Sequence, residues 1–281
     1  MNLTQLIKAV LDKAYSYIDL PDETAKNAAI KTRLGELSHA YRQLTKEDGI
    51  AIDYSDPVSR FAYIYKYTIG HADYIMQIIR RHEELTTLFD EDELDVACIG
   101  GGPGSDFLGV LKYMLKRDKK LALTCYLFDR ERSWGDSWSG VAKVLKPDFP
   151  IYPVFQQLDV TDRSTWSAYN DYLNSRLFTL SYFMSEVYKF RDTAEPYFAE
   201  TFDRLTPGTK VLFVDNRDQA GRFVGWFDEL AAAHNLEILV GRNENMSFSN
   251  DEEKTDLGEF FKKFDWPKRT SDLVYRIAQK Q

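Results

Sequence analysis

Asp95-Val96-Ala97-Cys98-Ile99-Gly100-Gly101-Gly102-Pro103-Gly104-Ser105-Asp106 decides how this chain folds. A short apolar run leads straight into a glycine-rich turn. Beyond the turn, Phe107, Leu108, Val110, Leu111, Tyr113, Met114 and Leu115 recur at helical spacing. A strand that feeds such a turn and then a helix is how a doubly wound sheet begins. Glycine there permits positive φ and lets the backbone approach a ligand closely.

Further strands follow at intervals. They are expected over Leu121 to Phe128, ending in Asp129, and over Ile151 to Phe155, leading to Gln156-Gln157-Leu158-Asp159. Others run over Arg176 to Phe183, over Lys210 to Val214 after the turn Pro207-Gly208, over Leu236 to Val240 with a continuation through Met246, and over Leu273 to Ala278. Strands alternating with helical patterns imply an α/β fold with a doubly wound, Rossmann-like, mostly parallel sheet. The last two lack a full crossover helix between them and read as a terminal antiparallel pair.

The first third is helical. Leu3, Leu6, Ile7, Val10, Leu11 and Ala14 form one buried face, and Pro21 ends that run. A second helix opens at Asp22 and carries Ala28, Ile30, Leu34, Leu37 and Tyr41, with Gly49 as its break. After the turn Asp53 to Pro57, a third segment runs from Val58 to about His82, interrupted by Gly70. The expected division is an N-terminal helical cap, residues 1–84, and an α/β domain, residues 85–281. Tyr63, Tyr65, Tyr67 and His71 either pack this segment or line a pocket.

With 36 Lys+Arg against 44 Asp+Glu, the chain carries a net charge of −8. That disfavours a broad electrostatic grip on nucleic acid, although a locally held nucleic-acid substrate stays open. The two cysteines, Cys98 and Cys125, lie in apolar runs and form neither a disulfide framework nor a CxxC site, so a reducing, cytoplasmic setting is expected. No run approaches the roughly 18 apolar residues of a membrane span, and Lys8, Asp12 and Lys13 interrupt the apolar pattern that a secretory signal would need. His39, His71, His82 and His234 have no close ligand spacing, so no metal is expected. Lys112, Lys116, Arg117, Lys119 and Lys120 read as the wet face of a helix, and Asp251-Glu252-Glu253 as a solvated loop.

The dinucleotide fingerprint G-x-G-x-x-G needs a small glycine or alanine where Ser105 stands. Asp95-x-x-x-x-Gly100-x-Gly102-x-Gly104 instead resembles motif I of the class I S-adenosylmethionine-dependent methyltransferases, and the order of elements from Leu94 onward is similar to theirs. The resemblance covers about two-thirds of the chain and speaks to fold and cofactor more than to substrate. It implies S-adenosyl-L-methionine as cofactor, with Gly100, Gly102 and Gly104 against its amino-acid and ribose portions. It further implies Asp129 on the ribose hydroxyls and Asp159 toward the adenine, with Gly101, Arg130, Val160 and Ser181 completing the binding set. Pro103 departs from a pure glycine loop and removes one backbone donor. Trp134 and Trp138 either pin their loop or stack on the adenine or an aromatic acceptor.

Glu186 and Tyr182, where the fourth strand meets its loop, and Asp215, ending the fifth, are the candidate catalytic residues. Each also reads as an ordinary cap or turn residue. The stretch Ser181 to Glu186 lacks the (Asp/Asn)-Pro-Pro-(Tyr/Phe) motif of amino-methylating nucleic-acid enzymes. The expected activity is methyl transfer to an unidentified acceptor, a small molecule or a protein being favoured. Two alternatives are a binding protein of the same fold without turnover and, more weakly, a nicotinamide-dependent oxidoreductase. The oligomeric state is not legible in the sequence.

Overall fold

The computed structural model describes residues 2–43, 52–138, 147–168 and 170–281. Seven strands form one sheet: β1 Glu93–Ile99, β2 Ala122–Asp129, β3 Ile151–Gln157, β4 Leu177–Ser181, β5 Lys210–Asn216, β6 Leu236–Ser247 and β7 Thr270–Lys280. Their spatial order is β3-β2-β1-β4-β5-β7-β6. The β1–β2, β1–β4, β2–β3 and β4–β5 pairs are parallel. β7 runs antiparallel to both β5 and β6, between which it lies. The strand order reverses at β1 and β4, and it is there that such sheets open a ligand crevice.

Alternation along the strands makes two cores. Leu94, Val96 and Cys98 of β1 face a cluster that includes Leu123, Cys125 and Leu127 of β2, while Ala97 and Ile99 face another with Phe178, Leu180, Val211 and Phe213. Helices Arg191–Arg204 and Arg222–Ala233 cover the second face. On the first face lie α1 Leu3–Ser16, α2 Glu23–Gln43, α3 Pro57–Tyr63, α4 Ile69–Arg81, the short α5 Glu83–Thr86, and α6 Ser105–Arg117, which follows the glycine turn. Residues of the first three helices therefore share a core with the sheet itself. α4 lies against α6 at Gly109, where an added Cβ would fall 2.7 Å from the Ala72 carbonyl oxygen and from Ile75 Cβ.

The third helical segment breaks at a place other than the one its sequence suggests. Ile64–Thr68 forms a π-helical turn between α3 and α4, and Gly70 lies inside α4. Gly70 is there for close packing, since a Cβ would sit 2.8 Å from Phe248 and 3.1 Å from the Lys268 carbonyl oxygen. The expected break at Gly49 lies outside the described residues.

Two charge assignments are corrected by long-range packing. Lys112 is 5% exposed instead of solvated, with Nζ 2.6 Å from Asp73 Oδ1 and 2.6 Å from Glu252 Oε1. Glu252 is likewise buried, and its carboxylate accepts the Leu3 and Thr4 N–H groups at 3.2 and 2.9 Å and the Thr4 hydroxyl at 2.6 Å. It therefore satisfies orphan donors at the N-terminus of α1. Asp251 and Lys116 stay at the rim of this cluster, paired at 2.8 Å. Among the described residues, no helix is long and apolar enough to cross a membrane.

Candidate functional site

The turn after β1 uses its glycines for conformation and for closeness. Gly100, Gly102 and Gly104 have φ of 66°, 29° and 71°, a region that side-chain-bearing residues rarely adopt. Gly101 N–H donates to the Phe128 carbonyl at 2.8 Å, tying the turn to β2. A Cβ on Gly101 would fall 2.9 Å from Cys98 Cβ, and one on Gly102 would fall 3.0 Å from Asp129 Oδ2 and 3.4 Å from Trp134 Nε1. The turn is thus held tightly against the ends of its own strand and of β2.

Above it lies a cleft with a cavity of about 170 Å³ and an adjoining inner chamber of about 20 Å³. Gly100, Asp129, Arg130, Asp159, Val160 and Glu186 line the larger cavity, and Gly101, Ser181 and Tyr182 line the chamber, where Gly100, Asp129 and Glu186 recur. Nine of the twelve residues named from sequence therefore meet in one place. Gly102, Gly104 and Asp215 do not line either space.

Each polar group has a definite setting. The Asp129 carboxylate accepts the Glu131 N–H at 2.8 Å, and burial pushes its pKa up to about 7. Asp159 Oδ1 accepts the N–H and hydroxyl of Thr161 at 2.9 and 2.7 Å, while its carbonyl accepts Trp166 Nε1–H at 3.0 Å. Asp106, in the first turn of α6, accepts the Thr179 hydroxyl, and burial pushes it too up to about 7. The Ser105 hydroxyl is buried without a hydrogen-bond partner, while that of Ser181 faces the Asp106 carboxylate. Such an orphaned group is uncommon and calls for an explanation.

The N-terminal helices reach into this cleft. Tyr41 of α2 donates to Glu186 Oε1 at 2.7 Å, and its oxygen lies 2.9 Å from that of Tyr54. Burial raises the Glu186 pKa from its ordinary value. His71 of α4 lies flat on Tyr182, ring centroids 3.5 Å apart and planes at 13°. Burial lowers the His71 pKa well below its usual value, so the imidazole is neutral at pH 7. Tyr182 itself has a positive φ of 59°, and its N–H donates to the Val214 carbonyl at 2.7 Å. Asp215 is fully buried behind this turn and accepts the Ser185 and Asn216 N–H groups at 2.8 and 2.7 Å. It shapes the backbone that carries Glu186.

In fold, the chain is similar to an O-methyltransferase family protein from Burkholderia thailandensis, with a TM-score of 0.53 at 10% identity over 91% of this chain and 72% of that one. The fold is that of the class I methyltransferases. A putative sarcosine dimethylglycine methyltransferase from Galdieria sulphuraria aligns with a TM-score of 0.45 at 10% identity, covering 89% of this chain and 98% of that one. A putative RNA methyltransferase from Pyrococcus horikoshii aligns at 0.43 and 13% identity, covering 89% and 98%. No protein-family model and no curated protein sequence matches the chain.

Within this methyltransferase fold, several cleft residues escape a reading of the sequence. Asp106, two residues beyond the last glycine, lines the chamber although no motif marks it. Tyr54 read only as part of a turn, yet it lines both spaces. Phe183 lies over Gly100 with no motif to announce it. The aromatic segment divides: Tyr63 and His71 line the chamber, Tyr67 lies behind His71 with centroids 5.6 Å apart, and Tyr65 packs in the core against Phe61 and Phe264. Trp134 is buried, forms a chamber wall and contacts Tyr54 with ring centroids 5.4 Å apart.

Proposed function

We propose that the chain binds S-adenosylmethionine in this cleft and transfers its methyl group to an acceptor, residues 1–84 acting as a cap over the α/β domain of residues 85–281. The observation that carries the reading is a donor and acceptor set matched to that cofactor in one cleft. Asp129 at the end of β2 is available to ribose hydroxyls, and Asp159 with Val160 after β3 lies where the adenine edge would fall. The orphaned Ser105 hydroxyl, with the Asp106 carboxylate and Ser181 beside it, suits the zwitterionic amino-acid end. The residues present therefore fit the group.

When bound, the cofactor supplies an electrophilic methyl on a sulfonium, and an in-line displacement is accelerated chiefly by positioning. Arg130 and Glu186 flank Asp129, Glu186 facing the inner chamber where a reacting acceptor would enter. Tyr182, with the His71 ring stacked on it, forms one wall of that chamber. Asp215, by accepting the Ser185 N–H, is a positioning residue for Glu186. The buried thiols of Cys98 and Cys125 lie on the adjacent strands β1 and β2 with their sulfurs 3.5 Å apart.

Binding without turnover is the second reading, and Phe183 favours it, because the face of Gly100 is filled by its ring. Calorimetric titration with S-adenosylmethionine, S-adenosylhomocysteine and NAD⁺ tests the proposal. Binding of both sulfur ligands at micromolar concentration, with no heat from NAD⁺, is expected; the reverse selectivity would overturn it.

A further inference from the structure

Four residues line both the larger cavity and the inner chamber, and so stand where the two spaces meet: Gly100, Asp129, Glu186 and Tyr54. Gly100 opens the glycine turn, Asp129 is placed for the ribose, and Glu186 faces the entering acceptor. Tyr54 is the fourth, and it alone of them comes from residues 1–84. The other rings of the site, those of Tyr63, His71, Trp134 and Tyr182, line the chamber and not the cavity.

The connectivity of the cofactor gives this position a meaning. Its adenine and ribose belong with Asp159 and Asp129 in the larger cavity, and its amino-acid end with Ser105, Asp106 and Ser181 in the chamber. In S-adenosylmethionine the sulfur lies between those two portions. A molecule that spans both spaces therefore carries its sulfonium through the junction, beside Tyr54.

The Tyr54 side chain is fixed before any ligand arrives. Its ring packs against those of Tyr63 and Trp134, with centroids 5.4 Å away in each case, and its hydroxyl oxygen lies 2.9 Å from that of Tyr41. The backbone is pinned as well. Arg60 Nη1 donates to the Tyr54 and Ser55 carbonyls, each at 2.7 Å, and Asp53 Oδ1 accepts the Ser55 N–H at 2.9 Å. A group held in this way loses little freedom on binding. Burial, and after it the neighbouring Glu186, raise the Tyr54 pKa well above its ordinary value, so the phenol is neutral at pH 7.

We infer that the Tyr54 ring recognises the sulfonium of the cofactor and so distinguishes the methylated form from its demethylated product. This rests on the methyl-transfer reading above and adds a binding residue to it, drawn from the N-terminal helical part. A ring face is electron-rich and attracts a cation, whereas the neutral thioether of S-adenosylhomocysteine gains nothing from it. The contact holds the charged cofactor and lets the uncharged product go.

The test is calorimetric titration of the full chain with S-adenosylmethionine, S-adenosylhomocysteine and sinefungin, in which a protonated amine replaces the methylated sulfur. The readout is the ratio of dissociation constants within each protein, from which any loss of binding-competent fraction cancels. Tyr54→Leu is expected to lower the preference for S-adenosylmethionine over S-adenosylhomocysteine about tenfold relative to the parent, between the exposed and the desolvated cases of a cation–ring contact, and to weaken sinefungin in parallel. Tyr54→Phe keeps the ring and is expected to hold the parent ratio within about twofold. Tyr54→Met replaces the leucine variant should that one not fold by thermal melt. An unchanged ratio without the ring, as a purely packing role predicts, overturns the inference; so does an equal loss in Tyr54→Phe, or a sinefungin affinity that follows S-adenosylhomocysteine. If neither sulfur ligand binds the parent, the methyl-transfer reading falls and takes the inference with it, whereas binding of both with an unchanged ratio overturns the inference alone.

Discussion

The ring of Phe183 occupies the space that a side chain on Gly100 would need: a Cβ built there falls 2.0 Å from Phe183 Cδ2. Gly100 also has a φ of 66°. Two costs therefore combine in Gly100→Ala, about 1–2 kcal/mol for the left-handed backbone and about 1–3 kcal/mol for overpacking. In a Phe183→Ala background the same substitution is expected to cost only the backbone part, about 1–2 kcal/mol. Urea melts of the four proteins measure the difference.

Lys112 is expected to be a stability residue. Its two closest carboxylates, on Asp73 and Glu252, have side chains with no solvent exposure. Lys112→Met leaves both charges buried and unpaired, and a loss of about 3–5 kcal/mol is expected from urea melts. Glu252→Gln, which retains an acceptor for the Leu3 and Thr4 N–H groups, is expected to cost less. Hydrogen exchange at those two amides should quicken in either variant.

Stability should depend on pH with an unusual sign. Burial pushes the carboxyl pKa values of Asp106, Asp129 and Asp215 up to about 7. Unfolded, each titrates at about 3.9. Between those values the folded chain holds protons that the unfolded chain has released, so these groups stabilise fully below about pH 4 and lose that contribution as pH rises through 7. Asp106→Asn should flatten the fall between pH 5 and 7.5, read as the difference from the parent in urea melts. An identical slope in both proteins would contradict the assignment.

The sheet was legible because strand and turn signals are local. Val96 to Gly104 carries an apolar run and glycines with positive φ, and those residues alone place β1 and the crevice beside it. Asp129 and Asp159 were legible for the same reason, each ending or following a strand. Glu252 and Lys112 were not, because their burial depends on partners far along the chain: Glu252 meets Leu3 across 249 residues and Lys112 meets Asp73 across 39. The π-helical turn Ile64–Thr68 has no local breaker, so Gly70 drew the boundary instead. Asp215 had the right address at the end of β5, and only its hydrogen bonds to Ser185 and Asn216 show that it faces the backbone instead of the cleft.

The central claim is that the Asp129 carboxylate holds the cofactor. Calorimetric titration of S-adenosylhomocysteine into the parent and into Asp129→Ala at pH 8, where the parent carboxyl is ionised, tests it most directly. Losing one or more hydrogen bonds to a charged acceptor should weaken binding at least tenfold, about 1.5–3 kcal/mol. Equal dissociation constants for the two proteins, both folded by thermal melt, would contradict the account.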